Sequence, residues 1–234
     1  MGNRGTKPKN KVKIKWSPKF AYAIGLLVTD GNLSSDGRHI VFVSKDIEQI
    51  KNFLKSLKIK VKIGKTSSGY DGNFSHRVQF GDVIFYKYLE SMGLSPAKSK
   101  IIGAIDVPDK YFFDFLRGCF DGDGCFYSYW DPRWRSSHMF YVEFVSASLD
   151  HIEWLRQELK KRTGVFGHIT KDGRKITYQL KYAKKESLEI IKKMYYNPQV
   201  VCLSRKKVKI KKALIIEKMQ QKKYKQTKMR GCCN

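Results

Sequence analysis

Apolar side chains recur along this chain with two different periods, and the periods follow the same order in both halves. Apolar residues three or four positions apart predict helices, whereas apolar residues at every second position predict half-buried strands. Each half is therefore predicted to fold as helix, two strands, helix, two strands and helix. The helices are predicted at residues 18–30, 47–57, 83–92, 111–124, 149–161 and 185–195. In the first half, strands are predicted at residues 32–43 (as a hairpin), 58–63 and 75–80. In the second half, they are predicted on both sides of a loop around residues 130–135, the second of them including 144–146, and at 165–170 and 175–182.

This repeated order predicts an α+β fold made of two pseudo-symmetric halves. Its first helix has a suitable N-cap in Ser17, a proline at position 18 and a stop at Gly31. A Lys-, Gly- and Asn-rich start is typical of a mobile segment. The predicted organisation is a flexible basic arm at 1–15, a first half at 16–104, a linker at 105–110, a second half with a basic C-terminal helix at 111–220, and a polar basic tail at 221–234.

A short motif ends the first helix of each half. Gly25, Thr29 and Asp30 in the first copy correspond to Gly118, Gly122 and Asp123 in the second, always 93 residues apart. Small residues four positions apart lie on one helical face and let two backbones approach closely. We therefore expect the two motif helices to pack against each other about a pseudo-twofold axis, which would bring Asp30 and Asp123 together.

Two carboxylates at the carboxyl ends of two helices are electrostatically unfavourable, because each lies at the negative end of a helix dipole and near the other. Divalent cations would offset this arrangement, since hard cations prefer oxygen ligands and can activate water beside a phosphate. The simpler alternative is that each Asp-Gly pair only ends its helix through turn chemistry. A matched pair at equal spacing favours the metal site.

The charge balance points to a polyanionic partner. Lys and Arg total 47 against 21 acids, a net charge of +26, and phosphate neutralisation with counterion release drives the binding of such chains to nucleic acids. A ribosomal or membrane-surface protein would also fit the charge alone. No apolar run approaches the roughly 20 residues that span a bilayer, and the start lacks the apolar core of a signal peptide. The five cysteines lack zinc-site spacing, so we expect an intracellular, reduced protein without structural zinc.

Two of the predicted strands carry polar side chains on one face. Arg, Lys and Gln in a sheet can read base edges in the major groove of DNA, although a merely solvated polar face is the usual explanation of one such strand. The candidate DNA contacts are Arg38, Lys60, Lys62, Ser75, Arg77, Gln79, Arg133, Arg135, Lys175, Thr177, Gln179 and Lys181.

The segments Ala23–Gly31 and Leu116–Gly124 resemble the two motifs of a LAGLIDADG homing endonuclease of the single-chain, double-motif type, and the resemblance covers residues 17–215. It implies two four-stranded antiparallel sheets that form a saddle over the major groove. It implies a monomer that cuts both strands of a long, non-palindromic DNA target and leaves short 3′ overhangs. Asp30 and Asp123 would be the catalytic acids and would bind Mg²⁺ together with Thr29 and Gly122. Mn²⁺ would substitute, and Ca²⁺ would support binding without cleavage.

The resemblance also implies a basic residue near each acid, late in each half. Lys98 and Lys206 are the candidates, with Lys100, Arg205 and Lys207 as rivals. A polar residue after the second strand would fall near Lys45 in the first half and Ala147 in the second, which makes the two half-sites chemically unequal. A group I intron RNA maturase, with the host intron RNA as its partner, or a non-cleaving DNA-binding protein of the same fold, is the alternative function.

Overall fold

The structure, a computed structural model, describes residues 10–67, 74–134, 136–173 and 176–231, with side chains described as far as residue 222. The first half contains α1 (Pro18–Asp30), β1 (Gly31–Leu33), β2 (His39–Ser44), α2 (Ile47–Leu57), β3 (Gly64–Ser67), β4 (Phe74–Gly81) and α3 (Val83–Ser91). The second half contains α4 (Phe112–Gly122), β5 (Cys125–Trp130), β6 (His138–Ser146), α5 (Leu149–Thr163), β7 (His168–Lys171), β8 (Tyr178–Tyr182) and α6 (Lys184–Met194), followed by α7 (Ser204–Gly231).

Each half builds one four-stranded antiparallel sheet. The strand orders are β1-β2-β4-β3 and β5-β6-β8-β7, so the second sheet repeats the topology of the first. Equivalent register pairs, Val43 opposite Arg77 and Val145 opposite Gln179, are 102 residues apart. The predicted α+β fold of two pseudo-symmetric halves is confirmed.

Local sequence signals account for the helix boundaries. The Ser17 hydroxyl accepts a hydrogen bond of 3.2 Å from the Phe20 amide, and Pro18 opens α1 without losing a needed donor. Asp82 caps α3 in the same way, through the Phe85 amide at 3.0 Å. Gly164 ends α5 with a φ of +73°, a conformation that glycine adopts without steric cost. None of the described helices is long and apolar enough to cross a membrane.

The core lies in two apolar clusters, one under each sheet. The motif helices α1 and α4 run between the two clusters and join them, since Phe115 and Cys119 of α4 belong to the cluster of the first half. The carboxyl ends of both motif helices therefore lie at the junction of the two halves.

Several sequence expectations are wrong in detail. Residues 58–63 do not form a strand. Lys58 ends α2 in a left-handed conformation, Ile59 is buried in the core with Val61 and Ile63 packed against it, and the strand begins only at Gly64. Lys60 and Lys62 thus lie beside the sheet rather than in it. The strand predicted at 165–170 is β7, at His168–Lys171, and Thr177 precedes β8 instead of belonging to it.

The two chain ends also differ from the expectation. Residues 10–15 are not a free arm: Val12 is fully buried, and the backbone amides of Lys11 and Val12 donate to the Asp82 carboxylate at 2.8 and 2.9 Å. Helix α7 continues to Gly231, through most of the segment predicted as a tail. Residues 1–9 and 232–234 lie outside the described residues.

Candidate active site

The motif helices approach each other closely enough that glycine is required at the crossing. A Cβ atom added to Gly25 would lie 2.8 Å from the Cys119 amide nitrogen and 2.9 Å from the Gly118 Cα. A Cβ added to Gly118 would lie 3.0 Å from the Gly25 Cα, and one added to Gly122 would overlap the Thr29 side chain. All four small residues singled out in the sequence therefore lie in the contact between α1 and α4.

Asp30, the last residue of α1, is held by a short chain of hydrogen bonds. The Gln49 side-chain amide donates to the Asp30 carboxylate at 2.6 Å, and the Ser44 hydroxyl donates to the Gln49 carbonyl oxygen at 2.8 Å. Burial raises the pKa of Asp30 to about 6, the nearby charge of Asp123 adds to the rise, and the Gln49 hydrogen bond opposes it. The carboxylate is therefore oriented, and its charge is only partly compensated by the protein.

Asp123 follows the last residue of α4 and lacks an equivalent of Gln49. Burial raises its pKa, which Lys206 and Lys98 oppose. The residue equivalent to Gln49, 102 positions later, is His151, whose Nδ1 lies 2.8 Å from the Gly103 carbonyl oxygen. A cavity of about 240 Å³ lies beside Asp123, and Ser146 and His151 are among its lining residues. The surroundings of the two acids are unequal, as the sequence indicated.

A buried lysine accompanies each acid, at equivalent positions in the two halves. The Lys98 ammonium donates to the carbonyl oxygen of Gly31, the residue after Asp30. The Lys206 ammonium donates at 2.6 Å to that of Gly124, the residue after Asp123. Burial lowers the pKa of both lysines, that of Lys206 to about 8.

The rival basic residues point elsewhere. Lys100 is exposed, the Arg205 guanidinium pairs with the Asp46 carboxylate at 2.9 Å, and the Lys207 ammonium donates to the Pro198 carbonyl oxygen at 2.5 Å. Of the five candidates, geometry brings Lys98 and Lys206 to the ends of the motifs.

The donor set suits a cation shared with a phosphate better than a cage made by protein alone. The described residues contain no group of three His, Cys, Asp or Glu side chains that could hold a metal. Mg²⁺ commonly uses one or two carboxylates and completes its shell with water and substrate phosphate. Asp30 and Asp123 fit that pattern, because desolvation raises the pKa of both carboxyl groups and the charge of Asp123 raises that of Asp30 further. The Thr29 hydroxyl donates to the Leu26 carbonyl oxygen at 3.0 Å, and the Gly122 carbonyl oxygen lies 3.5 Å from the Lys206 ammonium.

The predicted DNA-contact residues fall into three groups. Ser75, Arg77 and Gln79 share one face of β4, and Gln179 and Lys181 occupy the equivalent face of β8. Arg38 and Arg133 are exposed beside the hairpins β1–β2 and β5–β6, while Thr177, Lys60 and Lys62 flank the strands. Arg135 and Lys175 lie outside the described residues.

Sequence reasoning missed two polar contacts of this site. Gln49, not Lys45, donates to Asp30, because the first turn of α2 faces the end of the first motif. The one hint of this contact in the sequence is that Gln49 lies near Ser44. In the second motif, the buried Asp121 accepts hydrogen bonds of 2.8 Å from the Tyr22 hydroxyl and from the Leu203 amide. Burial raises the pKa of Asp121 to about 6.

Comparison with known proteins identifies this architecture. Residues 112–196 match the family model of a LAGLIDADG-like domain. The structure resembles the homing endonuclease I-WcaI bound to its DNA recognition sequence, with a TM-score of 0.59 and 15% identity over 89% of this chain and 94% of that one. A comparison with curated protein sequences found no match.

Two further solved structures have the same fold. I-DmoI in complex with DNA and Mn gives a TM-score of 0.50 and 15% identity over 77% of this chain and 97% of that one. The N-terminal LAGLIDADG domain of WhiA gives 0.51 and 18% over 77% and 83%. Residues 112–196 are therefore similar to a LAGLIDADG-like domain, and the two halves together have the two-domain LAGLIDADG fold.

Proposed function

We propose that this protein is a site-specific double-strand DNA endonuclease that hydrolyses one phosphodiester bond on each strand of a long, non-palindromic target and leaves short 3′ overhangs. The observation that carries the proposal is the pair of carboxylates Asp30 and Asp123 at the adjoining ends of the motif helices, where desolvation raises the pKa of both. A DNA-binding protein of this fold would need no such costly pair, whereas two-strand cleavage needs one acid for each strand.

Each acid would work with the buried lysine of its own half. Lys98 and Lys206 stabilise the main chain just after the acids through the Gly31 and Gly124 carbonyl oxygens. Their ammonium groups also place positive charge where a scissile phosphate would lie, which favours the charge that develops during hydrolysis. The Gln49 amide fixes the orientation of Asp30.

Mg²⁺ is the proposed cofactor, held by Asp30 and Asp123 with the backbone near Thr29 and Gly122. When bound, such an ion supplies an activated water and stabilises the leaving oxygen. The neighbour I-DmoI has been solved with DNA and Mn, which supports divalent metal use here. We expect Mn²⁺ to replace Mg²⁺, and Ca²⁺ to support binding alone.

The two sheets would recognise the DNA target. The polar faces of β4 and β8, with Arg77 and Gln79 exposed and Gln179 and Lys181 half-buried, would supply donors and acceptors for base edges. Much of the net charge of +26 would serve phosphate contacts, so binding should weaken steeply with salt. We further propose an intron-encoded monomer that acts inside the cell, on genomic or organellar DNA.

A non-cleaving DNA-binding protein, or a maturase that binds intron RNA, is the second candidate. The observation that favours it is the similarity to WhiA, since members of the fold that do not cleave exist. Selection of cleaved molecules from a randomised long duplex library in Mg²⁺, beside a Ca²⁺ control, separates these functions. One long cleaved site supports the nuclease. Site-specific binding in Ca²⁺ without cleavage in Mg²⁺ or Mn²⁺ would contradict the proposed nuclease activity.

A further inference from the structure

The β5–β6 hairpin is longer than its counterpart in the first half. The β1–β2 ladder ends at the pair Leu33 and Ile40, whereas the β5–β6 ladder continues to Trp130 and His138. The pair Tyr127 and Tyr141 corresponds in position to Ser34 and His39, where the first hairpin already turns. The second sheet therefore presents additional surface that has no equivalent in the first.

Three tyrosines occupy this additional surface, and we call them the tyrosine cluster: Tyr127, Tyr129 and Tyr141. The Tyr127 and Tyr141 rings are 5.1 Å apart and inclined by 13°, and those of Tyr129 and Tyr141 are 6.3 Å apart and inclined by 3°. The alternate residues Phe126 and Phe140 point into the core. The tyrosine cluster consequently lies on the outer face of the sheet, the same face as Gln179 and Lys181.

The tyrosine cluster is not explained by packing. Tyr127 and Tyr129 are 36% and 42% exposed, so their rings contact Tyr141 and solvent instead of filling the core. Leaving stacked aromatic surface in water costs free energy that burial against a ligand would recover. The outer face of the first sheet carries polar side chains instead, with Arg77 bonded to Gln79 at 2.7 Å.

The difference between the two faces determines which bases each face can recognise, because base edges in the major groove differ in chemistry. Arg and Gln recognise guanine and adenine through paired hydrogen bonds, whereas the thymine C5-methyl group is the apolar feature of the major groove. The rings of the tyrosine cluster present apolar carbon surface beside their hydroxyl groups, and that ring surface is suited to contact with methyl groups.

We propose that the tyrosine cluster is a specificity-determining surface that reads thymine C5-methyl groups in the half-site facing the second sheet. The inference rests on the proposed function, because it requires that the saddle faces duplex DNA. The first sheet then selects bases by hydrogen bonding and the second partly by methyl contacts, which gives two unlike half-sites.

Deoxyuridine substitution tests this directly, since it removes only the methyl group. The probe is the duplex selected from a randomised library in Ca²⁺, with each thymine replaced in turn by deoxyuridine. For wild type, we expect Kd to rise about four-fold at each position whose methyl is buried, the factor that corresponds to one methylene-sized group. In the double variant Tyr127→Ser/Tyr129→Ser, those same positions should bind thymine and uracil equally.

The control variant is Phe74→Ser, which removes an aromatic residue that is 67% exposed on the first sheet and should leave the wild-type profile unchanged. Melting temperatures confirm that the variants fold. If specific duplex binding persists, two results would overturn the inference. One is a wild-type profile in which no deoxyuridine replacement raises Kd. The other is a tyrosine variant that keeps the same sensitive positions as wild type. Equal or tighter binding to the corresponding single strand would also overturn it, in favour of base stacking. Absence of any site-specific duplex binding would instead refute the proposed function.

Discussion

Gly25→Ala places one methyl group in the contact between the motif helices. The added Cβ would lie 2.9 Å from the Gly118 Cα and 2.8 Å from the Cys119 amide nitrogen, which are main-chain atoms that no rotamer change can move. Ordinary carbon–carbon contacts are about 3.5–4.0 Å, so the helices must separate by about 1 Å. Overpacking of this kind costs about 1–3 kcal/mol, or roughly 2–12 °C in Tm for a chain of this length.

The same separation should affect cleavage more than folding. Asp30 lies only five residues after Gly25 on the same helix, and a misplacement of about 1 Å at a reacting centre can reduce the rate by about 100-fold. The assays are thermal unfolding and single-turnover cleavage in Mg²⁺, with binding measured in Ca²⁺. Gly103→Ala is the matched control, because a Cβ there would meet no atom within 4 Å. Wild-type Tm and cleavage for Gly25→Ala would refute the close-packed helix pair.

Three further predictions concern single side chains. Arg117→Met should lower the free energy of unfolding by about 3–5 kcal/mol, because it leaves Asp114 buried without its 2.6 Å ion pair. In the control Arg38→Met, which removes the exposed ion pair with Asp36, the loss should stay below about 1 kcal/mol. Equal losses in the two variants would contradict the argument. Gln49→Leu should slow cleavage of one strand about 10–100-fold and leave Ca²⁺-dependent binding intact, so strand-specific labels should reveal a nicked intermediate. Asp121 has a folded-state pKa raised to about 6, so its protonated form stabilises the fold at low pH, and this stabilisation is lost as pH rises through 6. The Tm of Asp121→Asn relative to wild type should therefore rise from pH 4 to pH 7, and a flat difference would exclude that origin.

The local features of the fold could be predicted from the sequence, because their causes are local. Ser17 and Pro18 start α1, and the small residues four positions apart on each motif helix predict the helix contact. The sequence at 58–63 alternates like that of a strand, but such alternation reflects which side chains are buried and does not specify hydrogen-bond partners. Its failure to join the sheet could therefore not be read from the pattern.

The site could be predicted in part, for a related reason. The acids belong to a repeated motif, and Lys98 and Lys206 could only be proposed among several lysines until their contacts with Gly31 and Gly124 distinguished them. Gln49 reaches Asp30 from a different helix, 19 residues away, through the orientation of α2. Such contacts depend on tertiary geometry, for which the chain carries no short-range signal.

Strand-resolved cleavage by Asp30→Asn and Asp123→Asn is the most direct test of the central claim that the two motif acids form one cleavage centre. On the duplex selected in Mg²⁺, both variants should lose double-strand cleavage and keep Ca²⁺-dependent binding. Asp106→Asn, which changes an exposed acid outside the motifs, should cleave like wild type. Cutting of both strands at the wild-type rate by either motif variant would contradict the assignment of the acids.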